Sequence, residues 1–492
     1  MRRKKRRDFY EANRRNKRRG YLILFASLFV ILAAGSATFY TMHYYKQGKQ
    51  NSPFVKNGET NPEQTNLPET IEASTTTTIS EVLKKDDSRK ALLKQAEELT
   101  TGYDYDGAIS LLKQNEGYEK FDDILAAINQ YEDAQTKLVE WDINDTTHIF
   151  FHSLIVDTKK AFDKDERENG YDMYMTTISE FNKMMESMYK RGYVLVTPYQ
   201  MSKREKNKRG KEEMVEQSIL LPKGKKAFVL SVDDVSYYQY MNGDGFASRL
   251  IIDENGDIKN EMDMEDGSTQ IGDFDVAPLL ERFLEKHPDF SYKGARGILA
   301  LTGYDGVLGY RTSESQHKNN EQFVKDHPDY NFEEECKKAK AVVAGLKAKG
   351  WMFASHSYSH NNIGQQATGD KKPMSYKNFV HDTDMWEKEV ESILGETDII
   401  IFPQGTYLNE QGRPDWKPYL KSNTHYKYLR KKGFRYYFGV GGYQPWVQST
   451  NDYLRQDRIN FDGVEMRNSP QLLKPFFNPA KVYDKSRPTK LK

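Results

Sequence analysis

The sequence predicts an α/β domain built on a parallel sheet, closed or open, preceded by a transmembrane helix and a small helical module. Three observations predict it. From His148 onward, short apolar runs alternate with amphipathic helical stretches. Polar residues stand directly after those runs. One long uncharged apolar stretch lies near the start of the chain. Alternation of this kind is the pattern of strand–helix–strand units, which bury a parallel sheet between helices.

The chain has 492 residues, 73 Lys and Arg against 72 Asp and Glu, and a formal net charge of +1. It is too long for one compact domain at about 100–200 residues each. Residues 1–20 form a basic tail, so the remainder is mildly acidic, which argues against nucleic acid as a partner of the body. Residues 21–42 (YLILFASLFVILAAGSATFYTM) carry no charge. Roughly 20 apolar residues match the ~30 Å hydrocarbon core of a bilayer. The basic flank places the N-terminus in the cytoplasm and the rest of the chain outside, as a single-pass protein of the cell membrane. A cleaved signal peptide is the alternative, but its apolar region is usually only about 7–15 residues. The single cysteine, Cys336, excludes an intrachain disulfide and a cysteine-based zinc site.

Residues 43–79 are rich in Asn, Pro, Glu, Ser and Thr and read as a disordered spacer. Residues 80–142 are helical in pattern. Ala96, Leu99, Gly102, Tyr105, Ala108, Ile109 and Leu112 fall at the spacings of one tetratricopeptide-like hairpin, and a further helix runs through Ile124, Leu125, Ile128, Tyr131 and Leu138. One such unit cannot form a solenoid core alone. It is expected to pack on the next domain and could offer a surface to a protein partner. The α/β domain spans 146–470, and 471–492 read as a C-terminal tail.

In that domain the predicted strands are IFFHSLIV, YVLVT, AFVLSVDD, GILALTG, WMFASHS, DIIIFPQG and FRYYFGVG. Sites in such domains form at the C-terminal ends of strands. Four runs deliver special residues there. IFF is followed by His152, AFVLSV by Asp233 and Asp234, WMFA by a segment holding His356 and His360, and DIIIF by Pro403, Gln404 and Gly405. The spacing i, i+4 puts both imidazoles on one face of a helical turn, able to share a metal. An adjacent carboxylate pair offers one ligand and one free base. Two histidines and one aspartate suit zinc, cobalt, nickel or iron and do not suit calcium. The stretch DENGD (253–257) resembles a calcium loop, but its flanking apolar runs predict a hairpin turn. His287, His317, His327, His381 and His425 lack a strand-end context and are expected at the surface.

The order of strand-DD, then HSxxH, then a Pro-x-Gly strand end resembles the NodB-homology polysaccharide deacetylases, carbohydrate esterase family 4. The resemblance covers roughly 148–468 and is closest to the branch acting on poly-N-acetylglucosamine. It implies a distorted (β/α) barrel and an N-acetylated polysaccharide substrate, peptidoglycan or poly-N-acetylglucosamine-like. It also implies a divalent metal, zinc first with cobalt or nickel as alternatives, held by Asp234, His356 and His360. Asp233 would be the general base, and the residue at the position of Gln404 would contribute to the oxyanion site. Three departures stand out. Where the family has an arginine that orients the base, this chain has Ile401-Phe402-Pro403-Gln404-Gly405. The family's C-terminal histidine is not found, which moves the acid role to His152. Val235 replaces the glycine that usually follows the aspartate pair, and about 120 residues separate Asp234 from His356. That excess includes the segment GYDGVLGYRT, whose Tyr310 and Arg311 are candidate sugar contacts. Alternatives to N-deacetylation are an O-acetyl esterase on the same site and a degenerate glycan-binding or scaffold protein.

Overall fold

The structure, a computed structural model, describes residues 75–367, 371–408, 416–441 and 445–491. The basic tail, the expected anchor and most of the spacer lie outside them. Among the described residues, no helix is long and apolar enough to cross a membrane.

Eight strands carry the main sheet: β1 Thr147–Phe151, β2 Tyr193–Leu195, β3 Lys226–Val232, β4 Ile298–Leu301, β5 Met352–Ser355, β6 Ile399–Ile401, β7 Tyr436–Val440 and β8 Leu454–Asn460. All are parallel. The order β1–β3–β4–β5–β6–β7–β8 returns to β1, closing a seven-stranded barrel. The β3–β4 seam is short, holding only Ile298↔Ser231 and Leu299↔Val232. Below it β2 lies along the first half of β3, from Tyr193↔Lys226 to Leu195↔Phe228. This wedge is the distortion of the barrel.

The period-2 alternation of strand side chains explains the two layers. Ala227, Val229, Ile298, Ala300, Met352, Ala354, Ile399, Ile401, Tyr436, Phe438 and Leu454 form one buried cluster, the barrel interior. Their neighbours Phe228, Leu230, Val232, Leu299, Leu301 and Phe353 face outward and join a second cluster with Phe181, Leu280, Leu346 and Trp386. Those four come from the outer helices α4 (Ile178–Lys190), α5 (Val276–Lys286), α6 (Phe332–Ala348) and α7 (Tyr376–Trp386), numbered after the three helices of the N-terminal module. Helix α4 starts on a capping box in which Thr177 and Glu180 satisfy each other's backbone N–H groups. Strand β8 was not among the predicted strands. Its sequence, LRQDRIN, alternates correctly but carries charge on both faces.

The N-terminal module comprises α1 Thr75–Thr101, α2 Tyr105–Lys113 and α3 Asp122–Thr136. Helix α1 begins inside the Thr run, so the spacer ends earlier than expected. Ala96, Ala108, Ile109, Leu112, Ile124, Ile128 and Tyr131 form its core, whereas Leu99, expected on the same face, is exposed. Leu138 instead opens a short strand, Leu138–Trp141, paired with Ile219–Pro222. The module packs at the N-terminal end of the barrel. Tyr103 stacks on Tyr292 at 6.4 Å between ring centroids, its hydroxyl donates to the Asp289 carbonyl at 2.8 Å, and Lys293 pairs with Asp104 at 3.0 Å.

Residues 471–491 are not a loose tail. Leu473, Phe476, Phe477, Val482 and Tyr483 are buried in the core between barrel and helices. Arg487 is fully buried, with Nη2 2.7 Å from Glu180 and Nη1 3.2 Å from Asp172. Two of the histidines expected at the surface are also buried. His317 pairs with Asp305 at 3.2 Å, and His425 packs on Phe379 at 4.3 Å between ring centroids. The patterns around them carry no strand-end signal, so helix packing is invisible at those positions.

Two stability predictions follow from these buried charges. Arg487→Met leaves Asp172 and Glu180 buried without their shared cation and should cost about 3–5 kcal/mol in urea unfolding; a loss under about 1 kcal/mol would contradict this role. Burial pushes the His425 imidazole down to about 4. The unfolded chain titrates near ~6.5 and so takes up this proton first, and stability is lost as pH falls from there through the folded value. His425→Phe should flatten the melting-temperature profile over that window, and an unchanged slope would count against it.

Candidate active site

The site sits at the C-terminal end of the barrel, where β1, β3, β5, β6 and β8 converge. Along β3, Ala227, Val229, Ser231 and then Asp233 face the interior by strand alternation. Asp234 would therefore point away. It does not, because its backbone is left-handed, with φ 60°. Such a conformation is uncommon for a residue with a Cβ and is best tolerated by Asn and Asp. Both carboxylates are thereby delivered to one place.

Asp233 is buried at 3% exposure and locked to an arginine. Arg458 of β8 donates from Nη1 to Oδ1 at 2.7 Å and from Nη2 to Oδ2 at 2.8 Å, a two-pronged fork. Arg458 is itself buried, donates to Ser231 Oγ at 3.0 Å and lies over the Phe150 ring at 4.0 Å. The arginine that orients this carboxylate comes from the last strand and not from the turn after β6. Burial alone would raise the Asp233 carboxyl. The Arg458 charge, the His356 imidazole, the fork's hydrogen bonds and the His152 imidazole outweigh it and hold Asp233 well below the usual range.

Ligand atoms of Asp234, His356 and His360 all lie within 4.8 Å of one another. The two histidines are not on a helical turn, as i, i+4 spacing suggested. They occupy an irregular loop after β5, with left-handed backbone at Ser357 (φ 61°) and His360 (φ 52°). Asp382 of α7 holds that loop by accepting the Tyr358 and Ser359 N–H groups at 2.8 and 3.0 Å and the Ser359 hydroxyl. His356 Nδ1 lies 2.9 Å from the Ile401 carbonyl. A carbonyl only accepts, so Nδ1 carries the proton and Nε2 keeps its lone pair for a cation. Burial lowers the His356 imidazole despite both aspartates, which favours that neutral form. Asp234 is oriented by Tyr238, whose hydroxyl donates at 2.7 Å and lies 2.9 Å from Thr302 Oγ1. One carboxylate and two imidazoles fit a four-coordinate zinc-like ion with an open position.

His152 follows β1, and the preceding carbonyl of Phe151 accepts the Asp233 N–H at 2.8 Å, so the two side chains leave neighbouring strand ends. His152 is half-buried, and its imidazole helps depress both Asp233 and Asp234. Pro403–Gly405 forms a tight turn after β6 in which Gln404 is left-handed, φ 58°, with its amide donating to the His360 carbonyl at 3.2 Å. Tyr310 and Arg311 are engaged within their own loop and its neighbours. Tyr310 is 4% exposed and donates to the Leu250 carbonyl, and Arg311 donates to the Asp305 and Tyr237 carbonyls. Both brace the loop that holds them.

Arg458, Tyr238 and Asp382 escaped the sequence reading. The only signal was an arginine at an inward position of LRQDRIN, visible once that stretch is read as a strand.

No protein-family model matches the chain, and comparison with curated proteins gives no match. Among solved structures the chain is similar to the Streptococcus pyogenes deacetylase PplD in complex with acetate, with 13% identity and a TM-score of 0.32, over 69% of this chain and 99% of that one. The functional reading therefore rests on the side chains of the site itself.

A cation-binding measurement checks the donor set. Equilibrium dialysis should find one zinc per chain, with affinity falling about 100-fold or more in His360→Ala and Asp234→Ala, as expected for loss of a ligand. Zinc retained at full affinity in both variants would remove these residues from the site.

Proposed function

We propose that this chain is a metal-dependent deacetylase that removes N-acetyl groups from an extracytoplasmic polysaccharide of the peptidoglycan or poly-N-acetylglucosamine type. The observation that carries this is the buried Asp233 carboxylate, forked to Arg458 and 3.8 Å from Nε2 of His356, immediately beside a three-donor cation set. A carboxylate kept ionised yet barred from the cation by its arginine is placed to act as a base.

Asp234, His356 and His360 would hold the ion. A divalent cation there, when bound, supplies Lewis acidity toward the acyl oxygen and makes a water more acidic. Asp233 accepts a proton from the attacking water as its oxygen bonds to the acetyl carbon. Arg458 keeps the carboxylate in one orientation throughout. A backbone N–H of the Pro403–Gly405 turn donates to the oxygen where negative charge develops. His152 gives a proton to the sugar nitrogen as the C–N bond breaks, releasing acetate and a free amine. The uncharged stretch at 21–42 and its basic flank support a membrane anchor with this domain outside the cell.

Acetate release from N-acetylglucosamine oligomers tests the proposal. Activity should disappear with a chelator and return with zinc or cobalt. Asp233→Asn and His152→Ala should each lower kcat by about 10²-fold or more, and Arg458→Lys should lower kcat while leaving zinc content unchanged. Acetate release that survives both chelation and Asp233→Asn would overturn it.

A further inference from the structure

An aromatic cluster stands at the rim of this site, and two of its members, Tyr304 and Tyr240, have no part in the chemistry above. Tyr304 follows β4 and is 44% exposed, one of the exposed large hydrophobic side chains of the described residues. Its ring packs against Tyr238 at 5.4 Å between centroids, and Tyr238 in turn stacks on Tyr240 at 5.5 Å and 12° between planes. Tyr238 is the residue whose hydroxyl bonds Asp234. The cluster is therefore in direct contact with one side of the cation set.

The backbone on both sides of Tyr304 is fixed. The Gly303 N–H donates to the Tyr358 carbonyl at 2.9 Å, between His356 and His360. A Cβ on Gly303 would lie 1.9 Å from the Tyr358 ring, so only glycine permits this approach. On the other side, the Asp305 N–H donates to the Gln316 side chain at 2.8 Å, and its carboxylate accepts from the Gln239 N–H and pairs with His317 and Arg311. An exposed tyrosine on so constrained a loop is presented rather than merely left over.

We propose that Tyr304, flanked by Tyr240, is a stacking subsite for a sugar ring adjoining the one whose acetamide enters the site. This inference rests on the proposed polysaccharide substrate. The apolar C–H face of a pyranose covers the tyrosine ring, and the phenol hydroxyl stays available to water or sugar hydroxyls. The rigid loop limits the entropy lost on binding. The subsite makes the protein prefer a polymer to a single acetylated sugar.

Calorimetry on the full chain carrying Asp233→Asn, with N-acetylglucosamine dimer and tetramer as probes, tests this. The tetramer should bind more tightly than the dimer. Adding Tyr304→Ala should weaken tetramer binding about three- to tenfold, the range for a lost aromatic contact, and Tyr304→Trp should restore it. Tyr376→Ala, an exposed tyrosine elsewhere, should change nothing. Equal tetramer affinity with and without Tyr304→Ala, or no binding of either oligomer, would overturn the subsite. Acetate release is scored separately on the chain with Asp233 intact. Tyr304-dependent binding without acetate release leaves the subsite standing and removes the enzyme. Acetate release with Tyr304-independent binding does the reverse.

Discussion

The fork between Arg458 and Asp233 is the interaction on which the site depends. It crosses the barrel interior from β8 to β3, with β1 between them. A carboxylate this buried is stable only when paired and hydrogen-bonded. Its partner comes from the last strand of the barrel, which docks between β7 and β1 to close the ring. The fork therefore depends on the strand pairings that close the ring. The Phe150 face, Ser231 and neutral His148 line the rest of this polar shaft, with burial and the Arg458 charge keeping His148 from taking a proton. A second cation so close to Arg458 would weaken its hold on Asp233.

Around that fork the strand ends are unusually bent. Asp234, Ser357, His360 and Gln404 all have left-handed backbone without being glycine. Each such residue costs on the order of 1–3 kcal/mol and persists only where its surroundings over-determine it. The restraints are identifiable. Tyr238 and Thr302 hold Asp234, Asp382 holds Tyr358 and Ser359, the Ile401 carbonyl holds His356, and Gln404 reaches back to the His360 carbonyl. The three donors are thus held in place by the chain itself, so a cation taken up there would require little reorganisation. Regular strand ends could not do this, since alternation would send Asp234 away from Asp233.

Much of this was legible in the sequence. Buried parallel strands read as continuous apolar runs, and seven of them were visible, with Asp233, Asp234, His356, His360 and His152 directly behind. What was not legible is physically specific. LRQDRIN hides a strand because its inward Gln456 and Arg458 serve a polar shaft, and its outward Arg455 lies among the rings of Tyr407, Tyr419 and Trp446. Charge usually marks a solvated face, and here both faces are buried. The spacing of His356 and His360 fits a helical turn equally well, and only the left-handed residues between strand and helix separate the two geometries. Tyr310 and Arg311 looked available because a Gly-rich segment reads as an open loop, whereas side-chain hydrogen bonds to backbone carbonyls tie it down.

That segment also explains the long interval between Asp234 and His356. The interval holds a three-stranded antiparallel sheet, Arg249–Ile252, Ile258–Asp263 and Thr269–Gly272, with the DENGD turn closed by Asp253 accepting the Asn255 and Asp257 N–H groups. The sheet grips the rim loop directly. The Leu250 N–H donates to the Leu308 carbonyl, and the Leu250 carbonyl accepts from Tyr310. Gly309 lies so close to Arg249 that a Cβ would meet its backbone. The elaboration therefore acts by stiffening: it anchors Asp305 and Tyr310 so that the residues before them, Gly303 and Tyr304, stay fixed against the histidine loop. The helical module closes the opposite end of the barrel through Tyr103 and Tyr292. Packing at one end of the barrel and braced loops at the other thus leave the polar groups of the interior, Ser231, Asp233 and Arg458, on the side of the three donors.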